Sequence, residues 1–207
     1  MKNPLIAATL LVLSCSSNAA LEIRDLDENL SNGHEGVYDD VLDITWLADA
    51  NSADGQLNWA DAEALVAGLN SSSYFGATKW RQPTALNCVG TNCGNVAGDT
   101  DDELGYHFYQ NFGATTGSNI TSGNNAANLA LFSNIQNDLY WTGRENPSDT
   151  AIYFTTASGI QGGVQKSSEL YVWAVADGDV SAIPVPAAAW LFGSALAALL
   201  VARRRHH

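Results

Sequence analysis

Basic residues are the scarcest charged class in this chain: nine lysines and arginines stand against 22 aspartates and glutamates, for a formal net charge of −13. Four of the nine are terminal, Lys2 and Arg203 to Arg205, so residues 21 to 182 hold only Arg24, Lys79, Arg81, Arg144 and Lys166 against all 22 acids. Such a surface repels phosphate backbones and anionic lipid or polysaccharide at low salt, which argues against nucleic acid and leaves calcium, cationic partners or neutral glycans. Histidine is also rare. Outside the terminal pair there are only His34 and His107; neither has a nucleophile at a recognisable spacing, and no Gly-x-Ser-x-Gly elbow, phosphate loop or His-Glu-x-x-His pair occurs. No catalytic residue is assigned, and the expectation is a protein that is not an enzyme. A secreted hydrolase or oxidase is the weaker alternative, because 22 acids always contain pairs that a glycosidase could use. Cysteine is limited to Cys15, Cys88 and Cys93.

The two long apolar runs lie at the ends. Lys2 precedes the run Leu5–Leu13, and the small residues Ser17, Asn18, Ala19 and Ala20 supply a signal-peptidase site, so residues 1–20 read as a secretory signal. Val12-Leu13-Ser14-Cys15 loosely resembles a lipoprotein cleavage box that would acylate Cys15, although Leu13 fits it poorly. With the signal removed, Cys88 and Cys93 remain in an exported chain, where a disulfide is the expected state and no nearby histidine completes a zinc set. At the other end, Pro184 and Pro186 interrupt the chain before the apolar run Ala187–Ala202 and the stop Arg203, Arg204, Arg205. As a helix those 16 residues reach about 24 Å, short of the roughly 30 Å hydrocarbon core. The segment is thus a marginal span with its arginines in the cytoplasm.

Val185-Pro186-Ala187-Ala188-Ala189-Trp190-Leu191-Phe192-Gly193-Ser194, closed by the arginine cluster, resembles the PEP-CTERM sorting signal, with Val185 where the name-giving motif has glutamate. That resemblance implies an exosortase as partner. It also implies a tether in the inner membrane facing the periplasm before processing, and then the cell surface or extracellular matrix. The domains are therefore taken as a signal at 1–20, one body at 21–182 and the sorting signal at 183–207.

Within the body, Val37–Asp40 and Asp43–Leu47 read as the strands of a hairpin. Asn58 and Asp61 form a capping-box variant opening a helix with Trp59, Ala62, Leu65 or Val66, and Leu69 on one face. Trp80 anchors a strand end or turn before Pro83, with Arg81 beside it held by backbone or acid partners, a ligand contact being the alternative. Thr100-Asp101-Asp102-Glu103 reads as a second capping box, for a helix through Leu104 and Phe108 that Gly113 stops. Residues 113–128 are a Gly-, Asn-, Ser- and Thr-rich loop. Strands follow at Ile152–Thr156 and Tyr171–Val175, with turns at Ser158-Gly159 and Gly162-Gly163. Two main helices and short antiparallel strands without repeats predict one α+β domain.

Val37-Tyr38-Asp39-Asp40, Thr45–Asn51, Asn58–Ala62, Trp80-Arg81-Gln82-Pro83-Thr84, Tyr140-Trp141-Thr142-Gly143 and Trp173–Asp179 come in the order found in the Lcl C-terminal domain family, which this body resembles over residues 36–180. The resemblance implies a C-type-lectin-like fold and an adhesin-like role, since some members bind sulfated glycans. Gln82, Arg144 and Ala176 depart from the pattern; with no base at Ala176, so acidic a chain points away from sulfated ligands. The expectation is a glycan- or protein-binding module, the alternative a matrix component without a specific ligand. Candidate ligand contacts are Trp80, Arg81 and Arg144. Calcium is the one possible cofactor, at Asp39, Asp40 and Asp43 or at Asp99, Asp101, Asp102 and Glu103, where carboxylates cluster without an EF-hand pattern.

Overall fold

The computed structural model of the chain describes residues 21–29, 31–86, 88–96, 98–146 and 149–180. The signal at 1–20, the apolar segment 187–202 and the sorting residues Pro184, Pro186, Trp190, Arg203, Arg204 and Arg205 lie outside the described residues. Among those described, no helix is long and apolar enough to cross a membrane.

The order of elements is β1 (Leu21–Arg24), β2 (Gly36–Asp39), β3 (Ile44–Leu47), α1 (Trp59–Ser71), β4 (Trp80–Arg81), β5 (Gly90–Thr91) and α2 (Glu103–Tyr106). Then come α3 (Ala126–Leu129), β6 (Leu139–Glu145), β7 (Thr150–Thr155), β8 (Ile160–Gln165) and β9 (Val175–Asp177). The architecture is α+β with two antiparallel sheets, ordered β1-β2-β3-β9-β4 and β5-β8-β7-β6. The last strand therefore enters the first sheet between β3 and β4, closing the body around its own C-terminal end.

The β2–β3 hairpin forms as its sequence requires. Asp39, fully buried, turns its Oδ1 onto the N–H groups of Val41 and Leu42, an Asx-type turn, and Asp43 takes φ 50° to close it. All four residues of β3 are buried because both its faces are covered. Asn58 caps α1, accepting the Asp61 N–H at 3.1 Å while its own amide donates to the Asp61 carboxylate at 2.7 Å. The main core stacks Trp46, Phe108, Phe112, Tyr140, Phe154 and Trp173 between the sheets, with Trp46 and Trp173 meeting edge to face at 5.3 Å.

Three sequence expectations are corrected. The strand placed at Tyr171–Val175 begins only at Val175, because the preceding residues change partners. Tyr171 exchanges backbone bonds with Leu139 and Trp141 of the second sheet, and Ala174 then accepts the Leu47 N–H of the first, so this stretch ties the two sheets together. Gly162 and Gly163 form no turn; they lie inside β8, where a Cβ at Gly162 would stand 2.7 Å from the hydroxyl of its cross-strand neighbour Tyr153. The second capping box does not form. The helix starts at Glu103, Asp102 makes no cap bond, and the Glu103 carboxylate is engaged elsewhere. The helix then widens into a π-turn over His107–Asn111 and stops at Gly113, φ 65°.

Candidate functional site

Strand β4 directs consecutive side chains to opposite sides. Trp80 turns inward, 2% exposed, onto Leu47, Ala77, Ala174 and Ala176, and its indole N–H donates to the Tyr74 carbonyl at 3.0 Å. Ala176 lies fully buried in this same cluster. Arg81 points the other way. Its Nε donates to Asp177 at 2.7 Å, its Nη1 and Nη2 grip both Glu103 oxygens at 2.8 Å each, and Nη1 also reaches the Gln82 carbonyl. Glu103 in turn accepts the Thr84 N–H at 2.7 Å. Burial pulls the Arg81 guanidinium down, but Glu103 and then Asp177 outweigh it and hold the group above the usual arginine range. Four of its five N–H groups are thereby committed within the protein.

Beside this pair lies a cleft of about 500 Å³ between α1, the chain after β4 and the end of β6. Its lining mixes the apolar side chains of Val66 and Leu86 with Glu63, Gln82, Arg144 and Glu145; Ala85 also borders it but is fully buried. Arg144 anchors the disulfide loop from here, its Nη1 donating to the carbonyls of Ala85 and Cys88 at 3.3 and 3.4 Å. Gln161 fastens the same Cys88 carbonyl at 2.8 Å and also donates to Asp102, and the Cys88–Cys93 disulfide closes the loop. Among the described residues the Nε and Nη2 of Arg144 have no acceptor, so three of its five N–H groups remain for a ligand. Gln82 donates through Nε2 to Glu63 at 2.7 Å, which fixes its amide orientation and leaves its buried Oε1 without a partner. Glu145 pairs with Lys166 at 2.9 Å, and that bond holds its carboxyl below the usual range.

The cleft thus joins Arg81 and Arg144 of the three residues singled out by sequence and leaves Trp80 beneath it. Glu63 and Gln82 went unrecognised as lining residues. The α1 periodicity that buries Trp59 and Ala62 turns Glu63 outward, so that signal was present; nothing local marked Gln82.

The acidic clusters are dispersed into separate tasks. Asp39 uses Oδ1 for its turn and accepts Asn111 Nδ2 on Oδ2 at 2.6 Å; burial raises its pKa above the ordinary value. Asp43 accepts the Tyr38 hydroxyl. Asp102 is buried against Gln161, with its pKa raised by that burial, and Glu103 holds Arg81. Among the described residues the carboxylates whose oxygens come within 4.8 Å of one another are instead Asp25, Asp27 and Glu35, already occupied in part by the N–H groups of Asn29 and Leu26 and by the Asn32 amide.

Residues 35–176 match the Lcl C-terminal domain family. No curated protein matches the chain.

Proposed function

The chain belongs to the Lcl C-terminal domain family, and on that footing we propose that it is a non-enzymatic glycan-binding module of an exported surface or matrix protein. The observation that carries this reading is the cleft beside Arg144. A sugar ring has an apolar face and a rim of hydroxyls that both donate and accept. The apolar side chains of Val66 and Leu86 suit the first, while the free N–H groups of Arg144 and the carboxylate of Glu63 suit the second. Arg81 adds little charge toward a ligand because Glu103 and Asp177 offset it. With Glu63 and Glu145 nearby, the ligand is uncharged rather than sulfated. The resemblance to C-type-lectin-like folds supports the same assignment. Delivery follows from the two ends: signal peptidase removes residues 1–20, and an exosortase acts at the proline motif of the 183–207 signal.

Oligosaccharide arrays carrying uncharged and sulfated glycans test the binding claim with the wild type and with Glu63→Ala and Arg144→Ala. Uncharged hits that both variants lose are expected; hits confined to sulfated glycans, or no hits, overturn it. For delivery, mass spectrometry of the protein from an exosortase-bearing host should find a chain starting near Leu21 and lacking the arginine cluster. A mature chain still ending at His207 contradicts sorting.

A further inference from the structure

We propose that a second depression, sharing no lining residue with the cleft, is an aromatic subsite for a ring of the same uncharged glycan. The proposal rests on the glycan-binding reading and extends it to Asn32, Glu35, Asp49, Ser52, Tyr74 and Phe75, which line about 270 Å³ between the β1–β2 connection, the end of β3 and the turn after α1. That volume lies just under the roughly 300 Å³ at which drug-sized pockets begin, a size for one ring rather than a long ligand.

The turn Tyr74–Gly76 is the unusual part. Ser73 and Phe75 adopt φ 48° and 52°, the left-handed region that bulky residues avoid. Tyr74 stays 37% exposed, while Phe75 is half-buried, packed on one side against the cluster of Leu47, Trp80 and Ala174 and bordering the depression on the other. The turn holds the two rings side by side, Tyr74 and Phe75 with centroids 4.1 Å apart and planes tilted by 49°. Trp80 braces them from below, its indole bonded to the Tyr74 carbonyl and its ring edge toward Tyr74 at 6.4 Å. The left-handed turn seats Phe75 between that cluster and the depression and leaves the Tyr74 ring at the surface, where a ligand can reach both.

The polar groups around the rings are two carboxylates, the Ser52 hydroxyl, the Asn32 amide and His34, whose Nε2 is already bonded to the Leu131 carbonyl. Glu35 accepts the Leu26 N–H through Oε2, and Asp49 accepts Asn51 N–H and Asn134 Nδ2 through Oδ1; each keeps its second oxygen without a donor among the described residues. Both carboxylates act on the Tyr74 phenol, whose pKa is raised by burial, then by Asp49 and Glu35. The Ser52 hydroxyl oxygen is buried there with no partner. A ring stacked on Phe75 or Tyr74 would donate hydroxyls to carboxylates, the stronger, charge-assisted kind of bond. An anionic sugar would meet two like charges.

The test is calorimetric titration of the full protein with a panel of uncharged hexasaccharides built on glucose, mannose, galactose and N-acetylglucosamine. Phe75→Gly, Tyr74→Phe and Arg144→Ala are run beside the wild type, with melting temperatures recorded. Phe75→Gly removes the ring and relieves the strained φ, which offsets the half-buried packing it gives up, so affinity should fall about tenfold or more with the melting temperature nearly unchanged. Tyr74→Phe keeps the ring and should lose about threefold through the hydroxyl alone. Binding unchanged by Phe75→Gly but lost in Arg144→Ala overturns this subsite and leaves the cleft standing. A Phe75→Gly protein that loses binding and melts lower also overturns it, by making Phe75 a packing residue. A panel without binding to any variant or the wild type overturns both.

Discussion

Neutralising Glu103 is the most informative perturbation of the fold. The residue is 6% exposed and accepts three charge-assisted bonds, two at 2.8 Å from Arg81 and one at 2.7 Å from the Thr84 N–H. Removing one partner of a buried pair costs about 3–5 kcal/mol, because the other charge is left uncompensated. Two features reduce that here: Arg81 retains 29% exposure, and Asp177 still holds its Nε. For Glu103→Gln, which keeps the shape and one acceptor, the loss should be ~2 kcal/mol, a melting temperature lower by roughly 4–8 °C for a domain of this size. Urea denaturation followed by circular dichroism of the wild type, Glu103→Gln, Arg81→Met and the double variant completes a cycle. The pair should couple by ~1.5 kcal/mol or more, with the double variant less destabilised than the two losses added. Additive losses, or a Glu103→Gln protein as stable as the wild type, would refute the claim that this pair holds β4 to α2 and frames the cleft.

Other predictions follow from different parts of the body. Replacing Cys88 and Cys93 together by alanine reopens a loop closed over a sequence separation of 5. Chain entropy puts the cost at ~2 kcal/mol, measurable as the urea-midpoint difference between the oxidised wild type and the variant. His107 is fully buried, ring-stacked on Trp46 at 4.2 Å and enclosed by Phe112, Phe132 and Trp173, and burial holds its pKa well below 6.5. The folded protein keeps the ring neutral where the unfolded chain takes up a proton, so stability is full above 6.5 and falls as pH drops below it. The difference between wild type and His107→Gln should change by up to ~1.4 kcal/mol per pH unit in that window, and subtracting the curves cancels the opposite contributions of Asp39 and Asp102. Parallel curves would count against it.

Legibility in the sequence followed distance along the chain. The Asn58–Asp61 cap and the Asp39 turn were readable because every participant lies within a few residues. The partners of Arg81 were not identifiable: Glu103 is 22 residues away and Asp177 is 96, so an arginine held by unspecified backbone or acid groups was readable, its partners were not, and Glu103 looked like a helix cap. Gly162 and Gly163 signalled a turn in isolation. The role of Gly162, making room for Tyr153 across β7 and β8, exists only once those strands pair. The α+β class was legible from the helical and alternating patterns, but the insertion of β9 between β3 and β4 depends on a crossover from the second sheet that no local pattern records. Of the cleft, the arginines were picked for their charge; what remains available on Arg144 and is spent internally on Arg81 emerged only from the hydrogen bonds.

The central claim, recognition of an uncharged glycan by a surface on which acids far outnumber bases, is tested most directly by the salt dependence of binding. Titrating the protein with its best uncharged array ligand and with a sulfated glycan, at about 50 and 200 mM salt, separates the cases, since ligands held by several ion pairs lose orders of magnitude over that range. The uncharged ligand should bind with a dissociation constant that is nearly the same at both concentrations, and the sulfated one should not bind at either. A sulfated glycan that binds tightly at low salt and is released at high salt would contradict the account.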